Sequence, residues 1–264
     1  DNFKKLIDNI KNILPLFYPV KEMNQFEIQY RNNFKKTAVI NTKVKKGDVL
    51  SYDSFVFAKY EDIKIPLSGI NLDGKVILKS IKSGTPLRNS MFKANIGGII
   101  VARCNSSRLP NKALMKIENR ETIALLIERI KRCNTLSSII LATSKDNSDD
   151  KLIEIAKREG ISYFRGSLDN VSSRFYNAAK EFNLDHVVRI TGDDILRDEK
   201  MIDKAVESHL HKSYDVTFTK NMPYGTSSEV FSFKVLEAII NTVNVPSNTE
   251  YLEYYLENDR YFSV

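Results

Sequence analysis

The chain has no tryptophan, two cysteines and three histidines in 264 residues. Cys104 and Cys133 are too few for a disulfide scaffold and suit a reducing compartment. His209-x-His211 has no third ligand within reach by spacing, so it reads as a solvated helix end rather than a metal site. No apolar run approaches the roughly 20 residues of a membrane span, and no stretch reads as a signal peptide. The expectation is therefore a cytoplasmic protein without membrane contact. Neither the Walker motif nor G-x-G-x-x-G is present, which sets aside the two familiar phosphate loops. With 42% apolar residues, the chain can bury a real core, as one large domain or two smaller ones.

Charge is unevenly spread over the formal net +7. Residues 1–93 hold 17 Lys/Arg against 9 Asp/Glu, a formal +8, and residues 94–264 hold 23 against 24, a formal −1. That asymmetry argues for two domains. A basic footprint is what phosphate backbones select. However, the lysines are scattered through turns such as 43–47, with no aromatic stacking pattern among them. No nucleic-acid partner is expected, since an anionic substrate or an acidic neighbouring surface explains the charge.

Chemistry concentrates after one strand. Gly97-Gly98-Ile99-Ile100-Val101 is a continuous apolar run, as in buried parallel strands, and it breaks into a loop carrying Ala102, Arg103, Ser106, Ser107, Arg108 and Lys112. Ligands of α/β sheets settle at such carboxyl ends. Arg103, Arg108 and Lys112 suit a triphosphate, two as guanidinium forks and one as an ammonium. Asn111 stands before Lys112, and asparagine tolerates left-handed backbone better than most residues. A second strand end, Val188-Arg189-Ile190-Thr191-Gly192-Asp193-Asp194, supplies carboxylates suited to a metal held beside phosphate. From 95 onward the rhythm alternates. Ile123, Leu126, Ile127 and Ile130 form a helix face, 139–142 a buried strand, Ser148 caps a helix to Lys157, and Gly160 stops it. Tyr163-Phe164 and 187–190 add strands, so a parallel sheet with helices on both faces is predicted.

The order A-R-x-x-S-x-R-L-P-x-K over 102–112 resembles the nucleotide loop of sugar cytidylyltransferases, which load CMP onto sialic-acid-like and octulosonic sugars. R-I-T-G-D at 189–193 resembles that family's metal segment, and Ala142-Thr143-Ser144 and Arg165-Gly166 its base and ribose borders. The resemblance implies a Rossmann-like α/β nucleotide-diphospho-sugar transferase domain with CTP and an acidic sugar as substrates. It implies Arg103, Lys112 and Asp193 as catalytic residues, with Mg²⁺ on Asp193. Ala102, Arg103, Ser107, Arg108, Lys112, Thr143, Ser144 and Arg165 would line the nucleotide, and Glu229 the sugar. Ile195 replaces the family's proline, and the family's second metal aspartate would follow Val264. The chain is expected to be a fragment, with activity in doubt for the fragment alone.

Residues 31–93 hold short strand candidates (37–41, 49–51, 75–78) between turns at Lys46-Gly47-Asp48 and Leu72-Asp73-Gly74. The order F-K-K-T-A-V, K-V-K-K-G-D-V-L and I-K-S-G-T-P-L resembles a SAF (antifreeze-like, β-clip) domain of sialic acid synthases. An amphipathic helix over 3–17 resembles the end of the synthase barrel. That resemblance implies a homodimer in which Lys36 contacts a sugar, a lysine standing where the family has arginine. The family's Arg-Pro-Gly is lost at 59–61. A small β-rich domain used for packing or dimer contact is the other reading. The expected layout is a helical tail over 1–30, a SAF domain over 31–93 and a cytidylyltransferase domain over 94–264. Two alternatives stay open: a non-catalytic module with a degenerate nucleotide site, or CMP transfer to a non-sugar acceptor.

Overall fold

The computed structural model describes residues 25–34, 36–59, 72–105, 109–212, 214–223, 225–242 and Leu252. The helix expected over 3–17 lies outside them. Helix α1 (Gln25–Phe34) leads into strand β1 (Thr37–Ile40), which pairs antiparallel with β2 (Phe55–Ala58), Ile40 opposite Phe55. The strands expected at 49–51 and 75–78 reduce to single bridges, Val49 to Val76 and Ile77 to Phe92. Turns with Gly47 and Gly74 at φ +91° and +79° bend the chain back too often for ladders to extend. This β-rich unit nonetheless has its own core, built on Ala38, Ile40, Leu50, Phe55, Ile77, Leu87 and Phe92.

The second unit is built on strand β3 (Ile96–Val101). A small hairpin of β4 (Lys116–Ile117) and β5 (Arg120–Glu121) precedes α2 (Thr122–Ile130). Then come β6 (Ser138–Ser144), α3 (Asp150–Arg158), β7 (Ser162–Gly166), α4 (Val171–Glu181) and β8 (His186–Thr191). Helix α5 (Glu199–Lys212), strands β9 (Val216–Phe218) and β10 (Glu229–Ser232), and α6 (Phe233–Thr242) complete it. The six-stranded sheet runs β7-β6-β3-β8-β10-β9. Its first four strands are parallel, as predicted, but β10 lies antiparallel to both β8 and β9. The link between β9 and β10, residues 219–228, carries no helix among its described residues and is too short for a parallel crossover.

Alternation along the central strands divides the core into two layers. Ile100, Leu141, Val188 and Ile190 face α2, α3 and α5, whereas Ile99, Ile140, Ala142 and Val187 face α4 and α6. Each fully buried Ile or Leu contributes roughly 1.5–3 kcal/mol, so these layers dominate the folding energy. Helix α3 starts differently from the prediction. Asp149, not Ser148, stands at its cap position, without a side-chain cap bond, and Asp146 caps the short 3-10 turn over Asn147–Asp149 before it, accepting the Ser148 amide at 2.8 Å. Gly160 ends the helix at φ +65°, as expected.

The β-rich unit docks on the amino edge of the sheet. Lys75 pairs with Asp185, whose other oxygen accepts the Asn95 amide at 2.8 Å. Just beyond, the prediction for His209 is overturned, because α5 turns its ring inward. His209 is fully buried, with Nε2 3.0 Å from His186 Nδ1 and Nδ1 3.0 Å from Thr217 Oγ1. Only one proton fits between the two rings. Burial, with Lys75 and Lys234 nearby, lowers the His186 pKa to about 3, and burial holds His209 well below its ordinary value.

Both histidines stay neutral in the folded chain and protonate on unfolding near pH 6.5. Stability is therefore complete above that pH and falls as pH drops, by about 1.4 kcal/mol per histidine at pH 5.5. Denaturant unfolding at pH 7.5 and 5.5 should show this loss, and His209→Gln should remove about half of the pH dependence whatever its absolute stability. Gly192 yields a second expectation. A Cβ there would lie 2.9 Å from the Val101 carbonyl oxygen and 2.8 Å from Ala102 Cβ. Gly192→Ala should cost about 1–3 kcal/mol in the same measurement.

Candidate functional site

At the carboxyl edge, β3 releases the loop that the sequence singled out. Asn111 donates its amide to the Cys104 carbonyl at 2.8 Å, closing the loop, and adopts φ 56°, ψ 23° in the left-handed region, as its residue type suggested. A 3-10 turn over Lys112–Leu114 follows, pinned by Thr122 Oγ1, which donates to the Lys112 and Ala113 carbonyls at 2.9 and 3.0 Å. Ser107 and Arg108 lie outside the described residues.

Parallel pairing of β3 with β8 sets Val101 opposite Thr191. The residues after Thr191 therefore emerge beside the loop, and Lys112 Nζ meets Asp193 Oδ2 at 2.5 Å. Their side chains are 34% and 49% exposed, so a ligand can reach both. Asp194 turns the other way. It accepts the Thr191 hydroxyl and, at 2.7 Å, Arg197 Nη2. Burial pulls the Arg197 pKa down, with Asp194 and Glu229 opposing it. Arg197 thus fastens Asp194 and leaves Asp193 to face outward.

The sequence expected the Thr143 and Ser144 hydroxyls to meet a base. The structure corrects this: both side chains are fully buried and both donate to Asp149 Oδ2, Thr143 at 2.8 Å. The Ser144 amide adds a bond at 3.0 Å, and the Cys104 amide reaches Asp149 Oδ1 at 2.7 Å. Burial pushes the Asp149 carboxyl up, but these donors outweigh it and hold it below its ordinary value. Burial first, then the Asp149 charge, push the Cys104 thiol up to about 11. Sequence reasoning missed Asp149, which sits in the polar run Lys145–Asp150 like any solvated turn residue. Its one sequence mark is its place directly before an amphipathic helix.

Other expected residues are held apart. Arg103 reaches toward β7, with Nη1 3.4 Å from the Leu168 carbonyl, while Lys112 turns toward β8. Ala102 is buried beneath the loop. Arg165 braces the turn after β6, donating to the Ser144 and Asp146 carbonyls at 3.0 and 2.7 Å and pairing with Asp150 at 2.8 Å. Its fork is thereby committed to protein, a correction to its assigned place beside the nucleotide. Glu229 is corrected likewise, since it forms a largely buried ion pair with Arg189 at 2.9 Å. Lys36 is exposed just before β1 in the β-rich unit, and no bond joins it to another expected site residue among the described residues.

An exposed lysine–aspartate pair at the carboxyl edge of a parallel sheet has charges that could meet a phosphorylated ligand and a divalent cation. The sequence pattern of the family described as "Cytidylyltransferase" matches residues 98–260. A relative named "Uncharacterized protein MJ1063", from Methanocaldococcus jannaschii, is 41% identical over 168 residues, 63% of this chain and 69% of its own length. "Spore coat polysaccharide biosynthesis protein SpsF" of Bacillus subtilis is 29% identical, over 52% of this chain and 59% of its own. A "3-deoxy-manno-octulosonate cytidylyltransferase" of Lawsonia intracellularis is 33% identical, over 46% of this chain and 48% of its own. The solved structure of a cytidylyltransferase from Leptospira borgpetersenii superposes with a TM-score of 0.60 at 31% identity, covering 63% of this chain and 72% of that one. Its likeness assigns the sheet unit to the α/β nucleotide-diphospho-sugar transferase fold. The chain belongs to the cytidylyltransferase family, the CTP-dependent nucleotidyltransferases.

Proposed function

We propose that the chain transfers CMP from CTP to an acidic sugar, nonulosonic or octulosonic, for surface-polysaccharide synthesis. The observation that carries this reading is the Lys112–Asp193 pair at 2.5 Å, on an edge whose loop has the family's residue order. Two relatives support the acceptor class, one named for an octulosonate and one for a spore coat polysaccharide. The sugar hydroxyl attacks the α-phosphorus of CTP, the bond from that phosphorus to the bridging oxygen breaks, and pyrophosphate leaves with that oxygen. The hydroxyl proton passes to solvent. Little covalent help is needed, so the protein's task is placement and charge neutralisation.

Lys112 binds the terminal phosphate oxygens, and Arg103 and Arg108 flank them. A charge-assisted bond to phosphate is stronger than the long Arg103 Nη1 contact to the Leu168 carbonyl at 3.4 Å. Mg²⁺ is the proposed cofactor, with Asp193 as its protein ligand. The donor set fits, because this ion keeps one or two carboxylates besides phosphate and water. The described residues hold no group of three His, Cys, Asp or Glu for an all-protein cage. When bound, the ion supplies charge neutralisation at the phosphates.

The β-rich unit is proposed as a SAF domain of a sialic-acid-synthase-like fusion, supported by its separate core and turn pattern. Lys36 would then serve a partner protomer's sugar site in a cytoplasmic homodimer. No helix among the described residues is long and apolar enough to cross a membrane. Light scattering after size exclusion tests the dimer, and a monomer at micromolar concentration rejects it.

Calorimetric titration with CTP, ATP, GTP and UTP in Mg²⁺ should single out CTP, and equal affinities sink the cytidine reading. Lys112→Ala and Arg103→Ala should each weaken CTP binding about tenfold or more without lowering the melting temperature. Asp193→Asn should abolish pyrophosphate release while leaving metal-free CTP binding nearly intact, because the amide keeps the size and loses the charge. Unchanged release in Asp193→Asn overturns the metal assignment.

A further inference from the structure

We infer that Asp149 is the positioning residue of the nucleotide loop, its buried carboxylate fixing the Cys104 amide and through it the places of Arg103 and Lys112. This rests on the reading of that loop as the CTP site. The carboxylate is fully buried and its bonds come from the Cys104 and Ser144 amides and the Thr143 and Ser144 hydroxyls, so the charge is held by fixed dipoles. Three segments meet on it: the start of the nucleotide loop, the end of β6 and the turn before α3.

Cys104 is the hinge point. Its amide is spent on Asp149 and its carbonyl accepts the Asn111 amide at 2.8 Å. The Asn111 amide therefore returns to a residue that is already anchored, and Thr122 pins the turn that follows Asn111. Arg103 precedes the anchored residue and Lys112 follows the closure. Both cations thus depart from a fixed base, which cuts the ordering cost that a phosphate ligand must overcome. Asparagine at 149 keeps the shape but turns one acceptor into an N–H₂ group, which meets either the Cys104 amide or the Thr143 and Ser144 donors head-on.

The test compares Asp149→Asn with Thr143→Val, which removes one Oδ2 donor and leaves the Cys104 bond. In a Cys133→Ser background, alkylation of Cys104 should quicken about tenfold or more in Asp149→Asn, since the loop opens and the charge that raises the thiol is gone. The KM for CTP should rise about tenfold there with kcat nearly constant. Thr143→Val should lower the melting temperature yet keep both readouts within about twofold of the parent. A merely structural Asp149 predicts that the two variants behave alike, and that result overturns the proposal. So does unchanged alkylation and KM in Asp149→Asn. Should that variant not fold, hydrogen exchange of the parent decides: the Cys104 amide must be as protected as the β3 amides, and fast exchange overturns the proposal. A parent that binds no CTP sinks the CTP reading, while alkylation and exchange in the ligand-free chain still judge Asp149.

Discussion

The carboxyl edge depends on β3 being clamped in parallel register between β6 and β8. Buried on both faces and paired on both sides, β3 has its peptide groups satisfied by its neighbours, so polar chain can leave only at its ends. The register does the rest. Because Val101 lies opposite Thr191 and Ala142, the segments after β3 and β8 emerge at one level, and β6 runs two residues further, to Ser144. Lys112, Asp193 and the Asp149 turn meet there as a result. A slip of one residue would exchange the two faces of β3 and send Ile99 and Ile100 into the wrong layers.

The parts legible in the sequence are those where one residue pattern has one physical outcome. An unbroken apolar run such as 97–101 is stable only as a buried strand, and the cations after it can lie only at the sheet's end. Ile123, Leu126, Ile127 and Ile130 have one helical face, and Asn111 before Lys112 signals left-handed backbone. The failures fall where outcome depends on distant partners. Strands β9 and β10 are short, and their direction follows from a helix-free connection rather than from composition. Asp149 and His209 look solvated until β6 and α5 are folded over them, and then each is wholly enclosed. Thr143 and Ser144 were placed at the right strand end, but their hydroxyls point to an inner partner that no spacing announces.

The two units share the labour by edge. The β-rich unit attaches at the amino edge of the sheet through Lys75, Asp185 and Asn95, and the loop chemistry lies at the opposite edge. Asp185 also begins the turn into His186, so the domain contact and the buried histidine pair share one strand entry. The docking of one unit is therefore joined to the folded state of the other rather than to a free linker.

The Lys112–Asp193 pair has a consequence for the order in which charge changes hands. In the ligand-free chain the ammonium already has a counter-ion and the carboxylate already has a cation. On the proposed reading, a triphosphate arriving alone competes with Asp193 for Lys112 and brings like charge beside that carboxylate. A divalent cation arriving alone takes Asp193 and crowds Lys112. On the same reading, arriving as one complex they exchange partners at both ends at once. On the proposed reading of this edge, a nucleotide–metal complex therefore exchanges with both members of the pair together, which neither half does alone.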